Sequence, residues 1–373
     1  MSEGVLEMCM SRGWGGLEMY PSRLAPALSN RGWRVHCVTL EGARLGEEMR
    51  KQGVEVLEYS SVTRALCRVC RLRRWIRARK ISVLHCHKSS DLRLAALLKS
   101  GMPSLRIVFT EHMGVSRPKR DLYHRWAFGK VDQVISISEA TLARNKKALP
   151  VAPERIARLY HGVDVAEFGA HSGMAQQQVR RSLGIEQNDI AVGLAARITP
   201  GKGHDVFLDA LAQLPASSRV RGLIIGGLDS SCGSSEEFVS ELRHKVVAAG
   251  LESRVQFVGF RSDLADVLGA LDIVCVPSPN EAFGLTAIEA MAMSRPVIGS
   301  DSGALPEILG NGAGILADPQ QPSEWCEAIV RLENDARLRD ELGKAGRARV
   351  EQQFSLERHL DTLINYYRGI PVS

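Results

Sequence analysis

Long apolar runs are missing from this chain of 373 residues. No segment approaches the roughly 20 apolar residues that a membrane-spanning helix needs. The start, Met1-Ser2-Glu3-Gly4, lacks a positive region followed by an apolar stretch, so no secretory signal is expected. Aromatics make up only 5%, and no base-stacking motif accompanies the basic residues, which argues against nucleic acid as a partner. The 8 cysteines form no disulfide-like framework, which suits a reducing cytoplasm. Cys67 and Cys70 make one C-x-x-C without a second pair, inside a helical pattern, and read as structural or incidental. Low-complexity segments and short repeats are absent.

What is present is a soluble balance, 45% hydrophobic and 24% charged, over a length that suits two domains. The charge is uneven. Residues 1–165 carry 29 Lys+Arg against 15 Asp+Glu, and the remainder 19 against 27, within a total of +6. A basic half joined to an acidic one implies two domains that meet different partners.

Both halves alternate short β-rich runs with amphipathic helical ones. The first half predicts strands at Val5–Met10, Arg34–Leu40, Val54–Tyr59, Ile81–Cys86, Arg106–Thr110 and Val131–Ile135. Helices are predicted at Gly16–Asn30, Arg64–Lys80 and Leu92–Leu98. The second half predicts strands at Ile190–Ala195, Arg221–Ile225, Val255–Val258, Ile273–Val276 and Pro296–Gly299. This rhythm implies an α/β protein of two doubly wound, Rossmann-like domains facing across a cleft. The expected division is 1–165 and 166–354, with a join near His161–His171. Residues 355–373 are expected to form a last helix, apolar along Leu360, Leu363, Ile364 and Tyr367, that packs back on the first domain.

Four loops carry chemistry. In "ARITPGKG", residues 196–203, Arg197 and Lys202 flank a Pro-Gly turn between a strand and a helix, an arrangement suited to a pyrophosphate. Two exposed loop cations would fit the same pattern. In "RGWGGLE", residues 12–18, Gly15 and Gly16 let backbone amides approach an anion, although a tight turn alone also needs them. In "TEHMG", residues 110–114, His112 ends a strand and is either a cleft residue or a structural histidine, with Glu111 beside it as a competitor. In "NEAFGLTAIEA", residues 280–290, Glu281 precedes a helix expected to begin near Phe283, and Glu289 lies more than a turn inside it. The free amides of that first turn, near Gly284 and Leu285, suit phosphate while Glu281 suits hydroxyls. A capping Glu281 and a solvated Glu289 are the plainer alternative.

These stretches, together with "VLHCH" at 83–87, "VISISEA" at 134–140, "HGVD" at 161–164, "VQFVGF" at 255–260 and "DSGALPEIL" at 301–309, resemble the retaining glycosyltransferases of family 4. The resemblance implies the two-domain GT-B fold, with an acceptor-binding first domain and a nucleotide-sugar-binding second. It implies that Glu281 contacts the donor sugar, Glu289 the ribose, and Arg197 and Lys202 the diphosphate. His112 would lie beside the sugar, and backbone near Gly259, Phe260 and Arg261 would read the base. Gly15, Gly16, Phe283, Gly284 and Leu285 complete the implied donor site. The family's usual Asn-Gly-Val-Asp reads His161-Gly162-Val163-Asp164 here, and its Gly-Gly before Pro-Glu reads Gly303-Ala304-Leu305.

No Asp-x-Asp pair occurs in the chain, and the cations, helix start and glycine amides could neutralise a diphosphate, so no metal and no other cofactor is expected. The expected reaction moves a hexose from a nucleotide-diphosphate sugar, a UDP-sugar by similarity to lipopolysaccharide-core transferases, to a glycan or glycolipid hydroxyl. A nucleotide-sugar epimerase and a non-catalytic nucleotide-sugar-binding subunit stay open. Residues 64–80 hold 8 cations in 17 positions. With Arg117, Lys119, Arg120 and Arg125, they suggest contact with an anionic acceptor or with the inner face of the cytoplasmic membrane.

Overall fold

Strand sequences such as Val-Leu-Glu-Met and Ile-Val-Cys-Val are buried from end to end, as in parallel sheets covered by helices on both faces. The computed structural model describes residues 3–115, 117–168, 173–310 and 312–371, with the side chains of all but 173–175. Two compact units emerge: Met1–Tyr160 with His359–Ser373, and His161–Arg358. The expected join, His161–His171, runs into residues 169–172, which lie outside those described.

The first unit contains β1 (Gly4–Met8), β2 (Arg34–Leu40), β3 (Glu55–Tyr59), β4 (Ile81–Cys86), β5 (Arg106–Glu111), β6 (Gln133–Ser136) and β7 (Ile156–Arg158). They form a parallel sheet in the order β3-β2-β1-β4-β5-β6-β7. The second contains β8 (Ile190–Ala195), β9 (Val220–Ile225), β10 (Val255–Gly259), β11 (Ile273–Val276), β12 (Val297–Ser300) and β13 (Ile315–Ala317), in the order β10-β9-β8-β11-β12-β13, again parallel. Strand order reverses between β1 and β4 and between β8 and β11. Such switch points open a crevice at the carboxyl ends of the strands, where ligands bind in this architecture.

Alternation along the strands gives the first sheet two unlike faces. Leu6, Met8, Leu84, Cys86, Ile107 and Phe109 enter an apolar core with Leu72, Ile76, Leu94 and Phe128. Glu7, His85 and Thr110 occupy alternate positions on the opposite face. The second sheet builds its core from Val192, Leu194, Ile224 and Ile298 with Phe207, Leu211 and Trp325.

Two expectations need correction, and two strands were missed. β7 and β13 were not anticipated, because three residues are too few to show a period. The helix expected over Arg64–Lys80 is two helices, Val62–Cys67 and Val69–Ala78, broken at Arg68 (φ −107°, ψ 22°). The last helix spans Leu356–Arg368 and ends at Gly369, whose φ of 73° leaves helical geometry.

Candidate functional site

At the β8/β11 switch point the chain brings two of the expected residues together. The loop after β8 carries Arg197, exposed, and Lys202, half-buried. Lys202 Nζ lies 2.9 Å from Glu281 Oε2, which comes from the loop after β11. Two glycines make this approach possible. Gly203 has φ 78°, and a Cβ there would stand 2.3 Å from the Pro277 carbonyl oxygen. Gly303 has φ 66°, and its Cβ would stand 2.5 Å from the Glu281 carbonyl oxygen. That carbonyl accepts the Ala304 N–H at 2.9 Å. Of the family's two glycines, the position with positive φ has kept its glycine. The other is Ala304, at φ −92°, which any residue adopts.

The following helix is Leu285–Ala292, starting two residues later than expected, with Gly284 at φ 99° as its N-cap. The Thr286 hydroxyl donates to the Ala195 carbonyl at 3.1 Å and ties this helix start to the end of β8. Phe283 turns away from the loops. It is buried edge-on against His161 at 5.2 Å and Phe354 at 6.1 Å, so its side chain is a core contact. His161 thus explains its departure from the family pattern: a buried ring packs there. Glu289 is 2% exposed, so it is not a solvated surface acid. Gly259, at φ 85°, ends β10, and Phe260 is half exposed. Arg261 donates from Nε to Asp263 at 2.7 Å, so its guanidinium is engaged within its own loop.

In the first unit the glycine loop after β1 holds a carboxylate of its own chain. Glu18 accepts the Gly15 N–H at 2.9 Å and the Ser11 hydroxyl at 2.7 Å. The Gly15 amide expected to meet an anion is therefore taken, and Gly16 opens the helix Gly16–Asn30 beside it. Glu111 serves a turn: its carboxylate accepts the N–H groups of Met113 and Gly114. Burial raises its pKa, opposed by those two amides. Among the expected residues of this unit that leaves His112, buried at the end of β5, as the candidate facing chemistry.

Sequence reasoning missed the network behind His112. Glu7 on β1 is paired in register with His85 on β4. Glu7 Oε2 lies 2.6 Å from His87 Nε2 and 3.4 Å from His85 Nδ1. His85 also meets the Tyr367 hydroxyl at 2.7 Å and the Thr110 hydroxyl at 2.8 Å, and Tyr367 donates to Glu7 at 3.2 Å. His87 Nδ1 faces His112 Nε2 at 3.4 Å. The Tyr20 ring packs edge-on against His85, His87, His112 and His359, and its hydroxyl meets His359 Nε2 at 2.9 Å. Burial pushes the Glu7 carboxyl up, but the charge and hydrogen bonds of His85 and His87 outweigh it and hold it at about 2. Burial, then the charge of His85, pushes His87 down to about 4 against the pull of Glu7. These directions favour an ionised Glu7 and a neutral His87, joined by their hydrogen bond. The available signals were an acid inside an apolar strand and two histidines at i and i+2, which share a face of a strand.

Glu7, His85 and His87 present ligand atoms within 4.8 Å of one another. Hydrogen bonding accounts for them better than a cation does. Two ligands at about 2.0–2.1 Å from one tetrahedral ion stand roughly 3.3 Å apart, whereas Glu7 and His87 are 2.6 Å apart, and His85 Nδ1 already meets Tyr367.

The basic segment is only partly free. Arg73 donates to the Leu97 carbonyl, and Arg77 to that of Gly101 at 2.8 Å. Arg79 pairs with Glu55 and lies over the Trp75 ring at 4.2 Å. Arg71 and Arg74 are exposed. No helix among the described residues is long and apolar enough to cross a membrane.

Residues 14–167 match the family model described as Glycosyltransferase Family 4, and residues 175–349 match that described as Glycosyl transferases group 1. The chain belongs to the family 4 glycosyltransferases. This transferase is 28% identical over 296 residues to a lipopolysaccharide core biosynthesis mannosyltransferase of Rhizobium meliloti, covering 78% of this chain and 80% of that one. It is 34% identical over 198 residues to a D-inositol 3-phosphate glycosyltransferase of Corynebacterium glutamicum, covering 52% of this chain and 46% of that one; it thus matches about half the length of that relative. Among solved structures, the Anabaena protein HepE in complex with UDP and glucose superposes with a TM-score of 0.85 at 22% identity, over 99% of this chain and 100% of that one. The fold of this transferase is GT-B: two units, each with a doubly wound parallel sheet.

Proposed function

We propose that this transferase moves a hexose from a nucleotide-diphosphate sugar to a hydroxyl of a glycan or glycolipid, with retention at the anomeric carbon. The observation that carries the reading is the Lys202–Glu281 pair at the β8/β11 switch point. Each partner is partly exposed, so each can exchange the other for a ligand. Diphosphate would take Lys202 and Arg197, releasing Glu281 to accept hydrogen bonds from the donor sugar. As the bond to diphosphate breaks, negative charge grows on the leaving oxygens. Arg197, Lys202 and the helix start at Gly284 and Leu285 stabilise that charge. The acceptor hydroxyl attacks from the face the diphosphate leaves, and a departing phosphate oxygen takes its proton. Glu289 would hold the ribose, the backbone near Gly259 and Phe260 the base, and His112 would contact the transferred sugar. No protein nucleophile is assigned.

UDP is favoured as the nucleotide because the Anabaena neighbour binds it. A phosphorylated acceptor such as the lipopolysaccharide core is favoured by the names of the two relatives and by the basic first unit. The charge neutralisation built into the second unit supports activity without a metal, and the exposed Arg71 and Arg74 support a place at the inner face of the cytoplasmic membrane.

Incubation of the pure protein with a panel of nucleotide sugars and phosphorylated glycans, with and without a strong chelator, tests this. The expected result is acceptor-dependent release of nucleotide diphosphate, a product with the donor's anomeric configuration, and no effect of chelation. An epimerised donor without transfer would instead establish an epimerase, and binding without turnover a non-catalytic subunit. Activity lost to the chelator and restored by magnesium would overturn metal independence.

A further inference from the structure

We propose that Glu7 and His87 are positioning residues that fix the tautomer of His112 and stabilise its protonated form from inside the first unit. The inference rests on the reading above only in giving His112 a sugar to contact.

An ionised carboxylate only accepts, so the 2.6 Å contact between Glu7 Oε2 and His87 Nε2 places a hydrogen on that nitrogen. A neutral imidazole carries one ring hydrogen, so His87 Nδ1 presents a lone pair. That lone pair faces His112 Nε2 at 3.4 Å. His112 therefore donates from Nε2, and its Nδ1 is the acceptor. The contact is long, as such bonds often are before substrate arrives, and it should shorten when His112 gains a proton. Glu7 then faces a positive charge across one neutral ring.

The surroundings leave this arrangement few alternatives. Glu7, His85 and His87 have side chains with no exposure, so no bulk water competes for their polar atoms. The Tyr20 ring stands 5.5 Å from His87 and 5.2 Å from His112 and restricts rotation of both. Among the described residues, the other titratable groups facing this cluster include Cys37 from β2, Tyr20 from the first helix, His85 from β4, and His359 and Tyr367 from the last helix. Glu111, on the other side of the His112 backbone, is turned to its own loop and to Lys119. Glu7 is thus the buried carboxylate in direct hydrogen-bond contact with His87.

The test is histidine-selective 15N NMR on the whole protein, with the His112 signals assigned by their loss in His112→Gln. At neutral pH, the Nε2–H tautomer is expected. A dominant Nδ1–H tautomer overturns the proposal. Glu7→Gln keeps the shape and an accepting oxygen but removes the charge. The pKa of His112 should then fall by about one unit, and Glu7→Asp should restore most of it. With an active donor and acceptor, Glu7→Gln should lower kcat more than it raises donor KM, because His112 is no longer held in the tautomer that contacts the transferred sugar. A folded Glu7→Gln protein whose His112 titrates as in the wild type overturns the proposal. If that variant does not fold, the wild-type tautomer decides. If no donor is turned over, the function proposed above fails while the NMR result still judges the relay.

Discussion

The two units use the same doubly wound frame and keep their charges in opposite ways. In the first, the carboxylate and histidines lie on the sheet face itself, and Glu7 is 0% exposed. In the second, the Lys202–Glu281 pair lies in loops beyond the strand ends, where the Lys202 side chain is 30% exposed and that of Glu281 17%. A polar group deprived of water must find a permanent partner, so the first set binds itself. A group at a loop end has water as an alternative, so a ligand can replace its partner at small cost. The first arrangement suits holding a geometry, and the second suits holding a substrate.

If this contrast is sound, substitutions at the loop ends of the second unit should alter catalysis and leave stability alone. Lys202→Ala should have the largest effect, a loss of about 10²–10³ in single-turnover rate with the melting temperature unchanged; a wild-type rate would break the assignment. Glu289→Gln comes next. Loss of a charged hydrogen bond to ribose should cost about 1.5–3 kcal/mol, read by calorimetry as donor binding weakened about ten- to a hundredfold.

In the first unit, Tyr367→Phe should do the reverse. It removes the hydroxyl shared by His85 and Glu7 and should cost about 1–3 kcal/mol of stability by denaturant unfolding, with donor affinity preserved.

His204 sharpens the contrast, because it is a buried histidine of the second unit whose ring nitrogens have no hydrogen-bond partner among the described residues. Burial, then the charge of Lys202, pushes it down to about 4. Below its ordinary pKa near 6.5, the unfolded chain takes a proton that the folded chain resists. Its effect is therefore a loss of stability as pH falls from 6.5 towards 4. His204→Leu should remove that loss, about 2 kcal/mol between pH 7 and pH 5; an unchanged pH slope would count against it. The smallest effect should come from Arg71→Gln and Arg74→Gln. Each should weaken binding to anionic vesicles by about 1 kcal/mol at low salt and less as salt rises, whereas Arg73→Gln should mainly reduce stability, because Arg73 is tied to the Leu97 carbonyl.

How much was legible follows the same division. "ARITPGKG" and the loop at Glu281 could be read because each is a strand, a turn and a helix start in continuous sequence. The glycines that later proved to have positive φ were visible as turn residues. For Phe283 the sequence does not show which way the side chain points; packing against His161 and Phe354 turns it inward. The break at Arg68 was hidden because the apolar stripe continues across it. The Gly15 amide looked available because nothing in the local sequence shows that the Glu18 carboxylate folds back to it.

By itself the sequence determined the alternation of strands and helices, and with it two parallel sheets and the loops that end their strands. These depend on periodicity and turn chemistry among near neighbours. Tertiary structure decided which charges meet. Lys202 finds Glu281 79 residues away, and Tyr367 reaches Glu7 from 360 residues away because the last helix returns to the first unit. No local pattern encodes such pairs. Lys202 and Glu281 meet because the topology brings their two loops together, and Tyr367 and Glu7 because burial leaves no water to compete with the partner on the same face.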